Sequence, residues 1–119
     1  MQGILVLAHG SRVKTTQDTI NAVVDMMRDQ FEGTPLEIAY MEFCEVNIEK
    51  GIANLVEQGV TEIKAVPYFL FEGIHIREDI PNEVEEALKK HPNVTLRIGN
   101  TLGVDRRLAD ILADRIREL

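Results

Sequence analysis

The sequence has one cysteine, Cys44, and no tryptophan among its 119 residues. A single thiol has no partner within the chain, which favours a reducing compartment, and we therefore expect a cytoplasmic protein. A chain of this length with 45% hydrophobic and 28% charged residues is typical of one globular domain that buries its own core without disulfides. We expect a single domain over residues 1–119.

Basic residues are outnumbered, since 13 Lys plus Arg stand against 20 Asp plus Glu and give a formal net charge of -7. A net negative charge repels the phosphate backbone of a nucleic acid, so it disfavours binding through general charge attraction. The four phenylalanines and two tyrosines are also too few to predict a stacking surface for single strands. We expect no nucleic-acid partner.

Long hydrophobic runs are missing as well. The longest apolar stretches, residues 4–8 and 65–71, are far shorter than the roughly 18 residues that a membrane-spanning helix requires. The first residues, Met1 and Gln2, offer no basic region of the kind that begins a signal peptide. We therefore expect neither a membrane span nor an export signal.

Short apolar runs alternate along the chain with stretches of helical periodicity. The runs predict strands at residues 4–8, 36–41, 63–70 and 94–98, and the periodic stretches predict helices at 15–33, 48–58, 81–91 and 104–119. Residues 71–80 are predicted to form a loop. The order βαβαβαβα predicts an α/β fold, a single doubly wound (flavodoxin/Rossmann-like) sandwich with a four-stranded parallel sheet.

Ligands of such a fold bind beyond the carboxyl ends of the strands. Two of the three histidines fall there, since His9 directly follows the first strand and His75 lies five residues past the third. If these strands are neighbours, both imidazoles can reach one ion, and neutral imidazole suits Fe, Co, Ni or Zn. The pair predicts an open transition-metal site, although a single histidine at such a position is more often a hydrogen-bonded core residue.

Positive charge gathers at the same edge of the predicted sheet. Gly10 and Ser11 enter the first helix, where free N–H groups can receive an anion, and Arg12, Lys14 and Arg77 add cations nearby. This excess in an acidic protein predicts an anionic ligand. The alternative is structural, with Gly10 making a tight turn and Ser11 helping to cap the helix.

Other candidate groups follow the second predicted strand. Glu42 and Glu45 can serve as a third ligand or as a proton acceptor. Cys44 has no CxxC partner, and we expect it to be a small buried hydrophobe rather than a ligand. His91 ends the third predicted helix and lies outside the predicted site.

Three blocks of the sequence resemble the small CbiX-type sirohydrochlorin chelatases, which belong to the class II tetrapyrrole chelatase family. The blocks are residues 7–12 (LAHGSR), 40–42 (YME) and 67–81 (PYFLFEGIHIREDIP), and the resemblance extends over essentially the whole chain. It implies a chelatase half-unit that inserts a divalent metal (Co²⁺, Ni²⁺ or Fe²⁺) into sirohydrochlorin without ATP, on the way to sirohaem, cobalamin or coenzyme F430. No cofactor beyond the metal substrate is implied.

The resemblance also assigns roles to residues. His9 and His75 match the two family histidines that hold the incoming metal and help to remove pyrrole protons, and Glu42 matches an acidic position that is an extra ligand or proton acceptor. Larger relatives carry two such units in one chain, so a chain with one unit is implied to be a homodimer. Val46 departs from the family, which has proline before the second helix. The implied substrate-binding positions are Gly10, Ser11, Arg12, Glu42, Phe71, Gly73 and Arg77.

Two other functions fit the same histidines. A histidine directly after a strand also serves as a phosphohistidine nucleophile, but those sites carry an arginine before the histidine, and Ala8 stands there. A metal-binding module, a metallochaperone or sensor with no chemistry of its own, would use His9 and His75 in the same way. For metal insertion, imidazole is suitable because it binds metal when neutral and still accepts a proton near physiological pH.

Overall fold

The computed structural model describes residues 1–119, apart from the side chain of His75. Strands and helices alternate in the predicted order, with a short 3-10 helix (Asp29–Phe31) after the first helix. The elements are β1 (Gln2–Ala8), α1 (Lys14–Arg28), β2 (Leu36–Tyr40), α2 (Ile48–Glu57), β3 (Glu62–Pro67), α3 (Ile74–Leu88), β4 (Thr95–Ile98) and α4 (Arg106–Arg117).

All four strands are parallel and lie in the order β2-β1-β3-β4. In the register, Leu5 of β1 lies between Glu37 of β2 and Ala65 of β3. β1 and β3 are neighbours, which is the condition for His9 and His75 to reach one ion. The strand order reverses between β1 and β3, and this switch point is where doubly wound folds bind ligands.

Helices cover both faces of the sheet, which confirms the doubly wound prediction. α2 and α3 cover the larger core, and α1 packs on the smaller cluster of Ile4, Val6, Val24 and Leu36. β1 lies between these two layers, and its continuous apolar sequence follows from burial on both sides. The larger core contains Leu5, Leu7, Ala39, Ile48, Ile52, Leu55, Val60, Ile63, Ala65, Phe69, Ile80, Val84 and Ala87.

The predicted loop at 71–80 is wrong from residue 74 onward, because α3 begins at Ile74 and contains Pro81 in its interior. A proline there removes the hydrogen bond to the carbonyl four residues earlier and costs about 3 kcal/mol. Ile80 and Val84 are buried on the same helix, and burying each such side chain contributes about 1.5–3 kcal/mol. The apolar contacts therefore keep the segment helical despite Pro81.

A side-chain cap begins α2. The side chain of Asn47 accepts a hydrogen bond from the backbone N–H of Lys50 at 2.9 Å. Gly59, after the helix, has a left-handed conformation with φ 92°. α1 and α3, the longest helices, have 15 residues each, and no helix in the described part of the chain is long and apolar enough to cross a membrane.

Replacing Asn47 by alanine is expected to lower the free energy of unfolding by about 1 kcal/mol, because the first turn of α2 loses its side-chain acceptor. Urea denaturation measures the change. Asn21→Ala on the exposed side of α1 is the matched control and should leave stability nearly unchanged. Equal losses for the two variants would contradict the capping role.

Candidate functional site

His9 stands exposed at the carboxyl end of β1, at the switch point of the sheet. Its ring meets the ring of Phe69 edge to face, with centroids 4.4 Å apart and an interplanar angle of 72°. The His9 side chain is part of the wall of a cleft of 410 Å³. The residues that line this cleft are Ala8, His9, Gly10, Thr16, Thr19, Ile20 and Tyr68. Because His9 is exposed, the alternative of a core histidine does not apply to it.

Backbone hydrogen bonds join the turn after His9 to the segment that follows β2. The N–H of Met41 donates to the carbonyl of Ala8 at 2.9 Å, and the N–H of Glu42 donates to the carbonyl of His9 at 3.0 Å. Gly10 has φ +83°, and a Cβ at this position would collide with the carbonyl oxygen of Glu42. The tight turn predicted as the structural role of Gly10 is therefore present, and it fixes the backbone of His9.

Backbone hydrogen bonds also hold the other loops of this edge. The N–H of Tyr68 donates to the carbonyl of Leu7 at 2.7 Å, which joins the ends of β1 and β3. Leu102 and Gly103, in the loop before α4, donate to the carbonyls of Phe69 and Leu70 at 2.9 and 2.7 Å. His9 is thus presented from a rigid support, as precise positioning of a reactive group requires.

Gln17, which the sequence did not single out, links the first and second loops. Its Nε2 donates to the carbonyl of Ser11 at 2.6 Å and to the Sγ of Cys44 at 3.2 Å. Its Oε1 is buried and has no hydrogen-bond partner among the described residues.

Cys44 is half-buried with this polar contact, so its prediction as a small buried hydrophobe is wrong. Ser11 has the predicted turn role, since its Oγ accepts from the N–H of Val13 at 3.0 Å.

Replacing Gln17 by leucine is expected to lower the free energy of unfolding by about 1 kcal/mol, the net value of an ordinary hydrogen bond. It should also make the thiol of Cys44 react faster with a disulfide reagent, because the two loops are no longer joined. Gln30→Leu, at an exposed position after α1, is the control. Unchanged thiol reactivity in Gln17→Leu would contradict the link.

Tyr40 lies beneath the turn, with its Cβ 3.2 Å from the place that a Cβ on Gly10 would take. Burial raises the pKa of the Tyr40 hydroxyl above its ordinary value, and the nearby Cys44 and Asp18 raise it further. The hydroxyl therefore stays protonated at physiological pH. The Tyr40 side chain beneath the His9 turn is therefore uncharged.

Large apolar side chains surround this edge of the sheet although they are exposed, and we call them the apolar rim. Phe43 is 53% exposed and Ile74 is 76% exposed. Phe43 also has a positive φ of 62°, a conformation that costs a non-glycine residue energy and is frequent at functional sites. Such a patch indicates a binding surface for a large apolar partner. The rim consists of Val13, Phe43, Leu70, Phe71 and Ile74.

The predicted cations lie at the same edge but differ in their partners. The guanidinium carbon of Arg12 lies 4.7 Å from the ring centroid of Phe43, a cation–π contact. Arg77 forms an exposed ion pair with Glu72 at 3.1 Å, so part of its charge is already compensated. Lys14 is exposed at the first position of α1.

Other predicted site residues are placed by the same loops. Glu42 and Glu45 are exposed after β2, and Gly73 is the N-cap residue of α3.

His75 falls in the first turn of α3 by position, and its side chain lies outside the described residues. Among the residues that the structure describes, no three His, Cys, Asp or Glu side chains are grouped to hold a metal ion. His91 precedes the amino end of β4, away from this edge.

Comparison with known proteins extends these observations. The CbiX family model matches residues 3–119. A protein named sirohydrochlorin cobaltochelatase from Sulfurisphaera tokodaii is 33% identical over 119 residues, which cover 100% of this chain and 94% of that protein. A protein named sirohydrochlorin ferrochelatase from Priestia megaterium is 35% identical over 118 residues, which cover 99% of this chain and 44% of that protein.

A solved structure has the same arrangement. The crystal structure of the sirohydrochlorin chelatase SirB from Bacillus subtilis subspecies spizizenii, in complex with cobalt, matches with a TM-score of 0.92 and 31% identity. The match covers 99% of this chain and 50% of that chain. The chain thus spans about half the length of SirB and of the Priestia protein, and nearly all of the Sulfurisphaera protein. The full-length match to the family model, supported by these relatives, shows that the chain belongs to the CbiX family.

Proposed function

We propose that this protein inserts a divalent metal, Co²⁺, Ni²⁺ or Fe²⁺, into sirohydrochlorin without ATP. The observation that carries the proposal is an exposed His9, fixed at the switch point of the sheet and open to a 410 Å³ cleft. Relatives named sirohydrochlorin ferrochelatase and cobaltochelatase support the same substrate class. The metal is a substrate, and no other cofactor is part of the proposal.

Metal insertion replaces two pyrrole N–H protons by one M²⁺ ion, so the site must take metal from water and receive protons. Neutral imidazole does both, because its free nitrogen binds a divalent ion or accepts a proton at physiological pH. We assign metal binding to His9 and His75, and one of the two imidazoles takes up a pyrrole proton on the nitrogen that has released the ion to the ring. Glu42, exposed on the segment hydrogen-bonded to the His9 turn, is the nearby candidate to receive a released proton.

The apolar rim suits the macrocycle itself. Sirohydrochlorin is a broad ring with eight carboxylates at its periphery, so it needs apolar contacts for the ring and cations for the edge. Phe43, Leu70 and Phe71 are exposed beside the site, and Arg12 stacks on one of them. Gly10, Ser11, Gly73 and Arg77 complete the proposed substrate-binding set at the same edge.

Arg12→Ala is expected to raise the KM for sirohydrochlorin several-fold and to weaken the salt dependence of the reaction. The reason is that local positive charge must attract an anionic substrate to a protein of net charge -7, and salt screens this attraction beyond about 8–10 Å. Initial rates at increasing salt concentrations measure the effect. Arg77→Ala should change the KM less, because Arg77 is already paired with Glu72. A salt response in Arg12→Ala identical to wild type would oppose the assignment.

A metal-binding module without chemistry is the second candidate, because it would use the same exposed histidine. Anaerobic mixing of sirohydrochlorin with Co²⁺, Ni²⁺ or Fe²⁺ separates the two functions. A chelatase makes the Soret band of sirohydrochlorin change faster than in the protein-free reaction, and the initial rate rises in proportion to protein concentration. A module that only binds metal would leave the rate unchanged or lower it by sequestering the ion.

We further propose that the chain forms one chelatase unit and acts as a cytoplasmic homodimer. Relatives such as SirB are about twice as long as this chain, which supports a second unit beside the first. A second copy would provide that unit.

A further inference from the structure

A second, smaller cavity lies at the carboxyl edge of the sheet, beyond the ends of β3 and β4, and we call it the side pocket. The end of β3, the first turns of α3 and the loop after β4 line it, and its volume is 220 Å³. Pockets that hold a whole small molecule have volumes of roughly 300–1,000 Å³. The side pocket is therefore suited to one side group of a larger ligand.

The charged groups of the side pocket indicate which side group it accepts. Among the described residues that line it, Arg77 is the one basic residue and Glu72 the one acidic residue. The Nη2 of Arg77 donates to the Oε2 of Glu72 at 3.1 Å. The carboxylate of Glu72 thus takes the place that a ligand carboxylate would take on the guanidinium.

Glu72 is held only weakly in this place. The side chains of Arg77 and Glu72 are 74% and 48% exposed, and an exposed ion pair changes an equilibrium constant by no more than about fivefold. The walls around the pair are better fixed, because the N–H of Arg77 donates to the carbonyl of Gly73 at 3.0 Å and the N–H of Gly99 donates to that of Ala65 at 2.8 Å. A ligand carboxylate can therefore displace Glu72 while the rest of the pocket stays in place.

The side pocket lies within reach of a macrocycle that is bound at His9. β3 is the neighbour of β1 and β4 is the neighbour of β3, so the pocket is one to two strand spacings, roughly 5–10 Å, from the end of β1. A tetrapyrrole that is centred on an ion at His9 has its peripheral carboxylates at a comparable distance from that ion. We propose that the side pocket binds one peripheral carboxylate of sirohydrochlorin, which displaces Glu72 from Arg77.

Glu72 is then a built-in competitor that determines which macrocycles bind well. A ring with a carboxylate at this position replaces one ion pair by another. A ring with a neutral group there leaves Glu72 on Arg77 and meets a pocket that is already occupied. The inference rests on the proposed function for the identity of the ligand, and it is tested by binding of metal-free sirohydrochlorin, in which no metal is inserted.

Glu72→Gln is expected to lower the Kd for metal-free sirohydrochlorin about threefold, because it removes a competitor of the strength of an exposed ion pair. Absorbance titration of the whole protein measures the Kd, and circular dichroism checks the fold. Glu85→Gln removes the same charge from an exposed position farther along α3 and should leave the Kd nearly unchanged. Equal effects of the two variants would show that only the net charge matters and would overturn the proposal.

A double-mutant cycle with Arg77 separates displacement from simple repulsion between Glu72 and the ligand. Arg77→Ala should raise the Kd about threefold in the wild type and about tenfold in Glu72→Gln, where a charge-assisted hydrogen bond is lost without competition. In the Arg77→Ala protein, Glu72→Gln should then have no effect. If Glu72→Gln tightened binding equally with and without Arg77, repulsion alone would explain it and the displacement would be rejected.

Metal-insertion rates of the same proteins separate this proposal from the proposed function. Accelerated insertion without coupling between Glu72 and Arg77 would reject the side pocket and leave the function standing. Coupled binding of sirohydrochlorin without accelerated insertion would support the side pocket and reject the function. A protein that does not bind sirohydrochlorin at all would reject both.

Discussion

His9→Ala is expected to lower the rate of metal insertion into sirohydrochlorin by about 10²–10⁴-fold, the usual contribution of a positioned acid–base group. The loss follows because the variant removes one of the two imidazoles that bind the incoming ion and that can take up a pyrrole proton once the ion has passed to the ring. Initial rates under anaerobic conditions, at saturating metal and sirohydrochlorin, measure it. The free energy of unfolding should change little, since the side chain is exposed and its recorded ring contact is one edge-to-face contact with Phe69.

His91→Ala is the matched control for this variant. His91 follows α3 on the opposite edge of the sheet, so its loss removes an imidazole of the same chemistry from outside the site. Its rate should equal that of wild type. A His9→Ala protein that retains the wild-type rate would reject the assignment of His9, and an equal loss in both variants would point to a general effect of histidine removal.

Gly10→Ala is expected to cause the largest loss of stability among the substitutions considered, roughly 3–4 kcal/mol. A left-handed backbone costs an alanine about 1–2 kcal/mol, and Gly10 has φ +83°. The added Cβ also collides with the carbonyl of Glu42, which must separate the two loops and break the hydrogen bonds of Met41 and Glu42, worth about 1 kcal/mol each. Chemical denaturation measures the change.

Gly33→Ala separates the two causes. Gly33 has a similar φ of +77°, but a Cβ there would meet nothing within 4 Å. Its substitution should therefore show only the backbone cost of about 1–2 kcal/mol. If Gly10→Ala were no worse than Gly33→Ala, the close contact between the first and second loops would not contribute to stability.

The strands could be predicted because apolar runs reflect burial on both faces. The run at residues 4–8 corresponds to β1 at the centre of the sheet, and the less continuous run from Leu36 corresponds to β2 at its edge. The start of α3 could not be predicted by the same reasoning. Pro81 is a usual signal for a first turn, whereas the contacts that keep a proline inside a helix come from the assembled core.

Only those site residues that directly follow a predicted strand in the sequence could be predicted. His9 and Gly10 follow directly from a strand end in the sequence, but the role of Gly10 depends on the approach of Glu42 from another loop. Gln17 lies in the first helix, and nothing in its neighbours indicates that it reaches Cys44 across 27 positions. Apart from Phe71, which the family resemblance named, the apolar rim was missed because its members are dispersed in sequence and look like ordinary core residues until the fold exposes them.

Counting product formed per mole of protein tests whether the protein catalyses metal insertion. A trace of the protein is mixed anaerobically with a large excess of sirohydrochlorin and Co²⁺, and the metallated product is measured over time against the protein-free reaction. We expect many product molecules per chain, formed at a rate proportional to protein concentration. Product that never exceeds one equivalent per chain above the protein-free reaction would contradict it, because the protein would then bind metal without catalysing its insertion.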